Sequence, residues 1–125
     1  MMLALLALSI SAEFAALDRA VESCARETVT PAFAAEAKRR NGFLTTMFAE
    51  QEAVVAARLE LADRRRALRE AGAGDGEPAL LLASQAIEDR QRALNDRRML
   101  ENMRNEAMDA KRRFYLSHCA TKDRK

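Results

Sequence analysis

His118 and Cys119 are neighbours near the end of a chain of 125 residues, and a thiol beside an imidazole is a pairing used in nucleophilic thiol chemistry. Such chemistry needs the imidazole within hydrogen-bond reach of the sulfur and a third group to orient it, whereas adjacent helical residues point roughly 100° apart. The expectation is a surface histidine beside a structural cysteine. Met99 and Met103, spaced i and i+4, could offer two thioethers to a soft ion such as Cu(I). No His or Cys stands at a matching position, so ordinary apolar filling by methionine is expected. The segment AGAGDGEP from Ala71 to Pro78 is glycine-rich, but it lacks the preceding strand and the Lys-Ser/Thr of a phosphate loop. It reads as a turn. One histidine and an Arg-Glu surface do not supply a nucleophile, a base and an oxyanion donor. The sequence therefore predicts no catalytic activity, no cofactor and no metal.

The remaining candidate for ligand chemistry is a basic stretch. Arg64, Arg65, Arg66 and Arg69, with Arg90, Arg92, Arg97 and Arg98, could meet phosphate, lipopolysaccharide or an acidic protein. Glu60, Asp63, Glu70, Glu88, Asp89 and Asp96 lie among them at helix-neighbour spacings, which predicts a solvated face laced with weak ion pairs. The 21 basic and 19 acidic residues nearly cancel. No aromatic residues are interleaved for base stacking, so nucleic acid is not the expected partner. A cytoplasmic coiled coil that touches nucleic acid remains a third function class.

Ala, Leu, Arg and Glu dominate, aromatics are few, and strands are not expected. Two rows stepping by seven run along the chain: Phe33, Arg40, Met47, Val54, Leu61 and Leu68, then Leu80, Ile87, Leu94, Glu101, Met108 and Tyr115. They mirror each other about Gly74. This pattern predicts an all-α fold, an antiparallel two-helix coiled-coil hairpin with a short N-terminal amphipathic helix. Helices are expected at about 13–27, 31–71 and 77–118, with a loop at 72–76. Thr28, Val29, Thr30 and Pro31 supply the first break, because β-branched residues disfavour helix and proline suits a first helical position. Glu77 and Pro78 open the last helix by the same logic. Asn41-Gly42 resembles a helix end, but the row keeps phase through it, so one continuous helix with a weak point is expected.

Arg40 and Glu101 are the charged members of the rows. They would either fix register or reach solvent along the edge of the seam, the second being the expectation. Leu44, Phe48, Val55, Leu59 and Ala62 are expected to widen the seam on one helix, and Ala86, Ala93, Leu100, Ala107 and Phe114 on the other. Phe43, Leu59, Leu81, Leu82 and Leu116 lie off the main rows and form a candidate surface for a protein partner or a second copy.

The first twelve residues, MMLALLALSISA, read as a signal peptide with Ile10 and Ala12 placed for cleavage before Glu13. Left uncleaved, this stretch would be the only route to a membrane, as a tether too short to span one. One domain over 13–121 follows, with a frayed tail at 122–125. The only two cysteines, Cys24 and Cys119, sit near opposite ends, and a hairpin would bring them together as a disulfide. The expected protein is a periplasmic or secreted helical interaction or structural protein, with a periplasmic chaperone or stress-response adaptor as the alternative.

Overall fold

The computed structural model describes residues 13–73 and 77–122, with side chains through residue 120. Residues 1–12, where a signal peptide is expected, residues 74–76 of the expected loop and residues 123–125 of the expected tail lie outside the described residues. Among the described residues the protein is all helical: α1 covers residues 13–22, α2 covers Arg26–Glu70 and α3 covers Pro78–Lys122. No helix among them is long and apolar enough to cross a membrane.

The helix ends follow from local chemistry. At the end of α2 the Ala73 amide donates to the Leu68 carbonyl and the Gly72 amide to that of Arg69, with Gly72 at φ 83°. This is the Schellman arrangement, in which a residue free of a Cβ takes the left-handed position. At the start of α3 the Glu77 carbonyl accepts from Leu80 and Leu81, which places Pro78 at the first helical position as expected.

The first break lies elsewhere than the sequence suggests. Thr28, Val29, Thr30 and Pro31 are all inside α2, and the interruption is at residues 23–25. There the amides of Ala25 and Cys24 bond back to Ala20 and Val21, a second Schellman motif whose left-handed position is held by Cys24 at φ 56°. A non-glycine residue in that conformation costs about 1 kcal/mol or more. Val29 is among the most buried side chains in the protein. Burial of that side chain outweighs the few tenths of a kcal/mol by which a β-branched residue disfavours helix. Pro31 leaves the Glu27 carbonyl without an amide donor, but Glu27 is exposed and water can serve it.

Two compact units divide the chain, one comprising the segments up to Asn41 and from Met103, the other Gly42–Asn102. In the second unit Met47, Val54 and Leu61 of α2 pack with Leu80, Ile87 and Leu94 of α3, and Phe43, Ala57, Leu68 and Ala83 border them. Val54 is 0% and Leu80 1% exposed. In the first unit Leu17, Ala20 and Val21 of α1 pack with Val29 of α2 and Met108 of α3, bordered by Phe14, Phe33 and Tyr115. The Phe33 and Tyr115 rings meet at 6.4 Å.

The main rows are thus inward, but the flanking ones are not. Leu44, Phe48, Val55, Leu59, Leu100 and Phe114 are all exposed and do not widen either core. Phe48, Val55 and Leu100 stand one position from an inward row and are turned from it by roughly 100°, farther than a single neighbouring helix reaches. Phe43 departs in the other direction, packing against the core of its unit instead of remaining on a partner surface. α2 passes through Asn41-Gly42 without interruption, and a Cβ built on Gly42 meets nothing within 4 Å. Gly42→Ala is therefore expected to raise stability by about 0.5 to 1 kcal/mol, measured by urea unfolding of the oxidised protein.

Candidate functional site: a buried glutamate and its arginines

The first unit contains a polar cluster centred on Glu36, which is only 7% exposed. The helical repeat sets Arg39 and Arg40 one turn beyond it. Arg39 Nη2 donates to Glu36 Oε1 at 2.6 Å, and its Nε donates to both carboxylate oxygens at 3.1 Å. From α3, Arg104 forks onto the same carboxylate, Nε to Oε1 at 3.3 Å and Nη2 to Oε2 at 3.2 Å. Burial alone would raise the Glu36 pKa, but the hydrogen bonds and positive charges of Arg39 and Arg104 prevail and lower it from 4.5 to about 2. The carboxylate is held charged.

Arg104 has further partners. Its Nη2 also reaches Glu13 Oε1 at 3.2 Å, and its guanidinium lies 5.2 Å from the centre of the Phe14 ring. Lys111, seven residues further along α3, sits 5.2 Å from the same ring and donates to Asp18 Oδ1 at 2.5 Å. Seven more residues bring His118, whose Nε2 is 3.1 Å from the Glu22 carbonyl oxygen and whose ring stacks on Phe114. A polar row on α3 thus meets α1 along its length. The sequence predicts a surface histidine beside a structural cysteine; His118 is half-buried, and its polar contact is to a backbone carbonyl.

Cys24 and Cys119 form the disulfide, with Cα atoms 5.6 Å apart across 95 residues of sequence. Closing a loop of that size stabilises by roughly 4 to 5 kcal/mol in the chain-entropy account. Of the two charged row members, Arg40 donates to Asp109 Oδ1 at 2.8 Å and to the Asn105 carbonyl at 3.2 Å. Its Nε is buried without a hydrogen-bond partner, 4.0 Å from Glu36. Arg40 as a residue is half-buried with 30% of its side chain exposed, whereas Glu101, in the second unit, is buried and does not run to solvent along an edge as expected. The seven-residue spacing holds Glu101 on the same inward face as Leu80, Ile87 and Leu94.

Beside Glu36 lies a groove of about 430 Å³ lined by Leu17, Ala32, Ala35 and Met108 with Glu13, Arg39 and Arg104. Its charges are paired with one another, and no thiol, hydroxyl nucleophile or imidazole faces it apart from the Thr28 hydroxyl. Among the described residues no group of His, Cys, Asp and Glu could hold a metal ion. In the second unit the basic stretch carries internal ion pairs, Arg66 to Asp63, Arg92 to Asp89 and Arg97 to Glu50. Arg98 donates to Gln51, whose amide also exchanges hydrogen bonds with that of Gln91. Leu59, Leu81, Leu82 and Leu116, four of the five residues expected on a partner surface, are exposed. No protein family, curated protein or solved structure matches this chain.

Glu36 and Arg104 carry no sequence signal as a pair, since 68 positions separate them. The recurrence of Arg104, Lys111 and His118 at intervals of seven is the trace that could have pointed to α1. Because its folded pKa lies below 4.5, Glu36 stabilises fully at neutral pH, and this contribution of about 3 kcal/mol is lost as pH falls from 4.5 through 2. Glu36→Gln is expected to lose about that much at pH 7 and to show a shallower decline between pH 4.5 and 2. Urea titrations of both proteins across that range measure the difference.

Proposed function

We propose that this chain is an exported, disulfide-stapled antiparallel helical hairpin that works by binding another protein, with no catalysis and no cofactor. The antiparallel reading draws support from the second unit, where Glu50 bonds Arg97, Gln51 bonds Gln91 and Arg58 bonds Glu88. Partners on α3 fall in number as those on α2 rise. Export is supported by the apolar first twelve residues together with the disulfide, which fits an oxidising compartment.

The observation that carries the binding reading is the apolar stripe left on α2. Leu44, Phe48, Val55 and Leu59 are exposed, and their steps of four, seven and four keep them within one face of the helix. A face of that kind is what a second helix lays itself along, with anchors one and two turns apart. Leu81 and Leu82 in the same unit and Leu116 in the other add exposed apolar area. The arginines of the second unit act as solvated flanks in this reading, since several are already paired to carboxylates.

Sedimentation equilibrium of the oxidised protein is expected to show a mass that rises with concentration, and Phe48→Glu is expected to suppress the rise while leaving helix content unchanged. A strict monomer that also binds no envelope protein counts against the reading. Mass spectrometry of the protein from its native cell is expected to show loss of residues 1–12 and a mass two hydrogens below the dithiol form. An intact, reduced chain overturns export.

A further inference from the structure

We infer that the Cys24–Cys119 disulfide is a redox latch on α1: reduction by a dithiol frees helix 13–22 from the first unit while the second unit stays folded. The inference stands independently of the partner proposed above, because every group it uses lies in the first unit.

Three observations carry it. Cys24 is, among the described residues, the only non-glycine with a positive φ, and it occupies the Schellman position where glycine is free of steric cost. The disulfide therefore anchors the chain at the point where its backbone is least favourable, and opening the bond lets that residue relax. α1, described over residues 13–22, draws its stability from packing, as most helices in proteins do. Apart from the disulfide it is held by Leu17, Ala20 and Val21 in the core, by Phe14 at its border beneath Arg104 and Lys111, and by polar contacts at Glu13, Asp18 and Glu22. The side chains of Glu13 and Asp18 are 61% and 49% exposed, where ion pairs hold weakly. Finally, the two cysteine residues differ in exposure: Cys119 is buried in α3, whereas Cys24 is half-buried in the link between α1 and α2.

The chemistry follows from that difference in exposure. A thiolate of the incoming dithiol attacks the Cys24 sulfur, the Cys24–Cys119 bond breaks, and Cys119 leaves with the electron pair and takes up a proton. The second thiol of the reductant then closes on its own partner sulfur and releases Cys24 as a thiol. The reductant ends as a disulfide, and the chain has gained two electrons and two protons. Release of α1 uncovers Leu17 and Val21 on one side and Val29 and Met108 on the other, an apolar surface present only in the reduced protein.

Hydrogen exchange of the full chain with and without dithiothreitol tests the latch. Amides of residues 13–22 are expected to exchange at least about tenfold faster after reduction, while those of residues 50–61 and 83–94 change less than about twofold. No acceleration in α1 overturns the inference. Equal acceleration in both regions overturns it too, since the disulfide would then hold the whole fold and not one helix. A pair of variants isolates the backbone contribution: C24G/C119A is expected to protect α1 roughly fivefold better than C24A/C119A, because glycine removes the left-handed cost. Equal protection in the two variants overturns the role assigned to Cys24.

Discussion

Arg104 connects three helices through one guanidinium. It forks onto Glu36 of α2, reaches Glu13 of α1 and covers the Phe14 ring, all from its place on α3. A carboxylate as buried as Glu36 is tolerable only when its charge is matched and its lone pairs are occupied. Arg39 and Arg104 together meet that condition, which is why the carboxylate stays ionised well below its ordinary range. The position of α1 then follows, because Glu13 and Phe14 take the remaining edge and face of Arg104, and Lys111 repeats the arrangement two turns on.

The dependence arises from how little apolar surface each helix can bury. In the second unit one heptad row from α2 meets one from α3, and Val54 and Leu80 are shielded completely while the rows beside them face solvent. That unit needs only alternating apolar layers and a few side-chain pairs such as Gln51 with Gln91. The first unit must also hold α1, and three inward side chains, Leu17, Ala20 and Val21, are few against the entropy of ordering it. The ion pairs, the cations around Phe14 and the disulfide complete what those three residues cannot.

Much of this was open to inference from residue types. The inward rows could be named because a period of seven selects one helix face, whatever covers it. Pro78 and Gly72 marked their helix ends because proline lacks a donor and glycine lacks a Cβ. The Cys24–Cys119 pairing followed from there being only two cysteines and from the expectation of a hairpin. Other readings went astray for one shared reason. Phe48, Val55 and Leu100 have the composition and spacing of inward residues, but they are exposed. Glu36 and Glu101 have the composition of outward residues and are buried.

The sequence by itself determined that the chain is helical, which row of each helix in the second unit turns inward, and where α2 stops and α3 starts. These are local properties, fixed by side-chain volume, spacing and backbone freedom within a few turns. Only the tertiary structure decided that Thr28 to Pro31 continue a helix and that the break falls at Cys24 instead. It also decided which apolar rows go uncovered and that Glu36 is shared by arginines from two helices. Those outcomes depend on how much surface a distant segment removes from water and which charges it brings with it. For Glu36 the deciding charge stands 68 residues away.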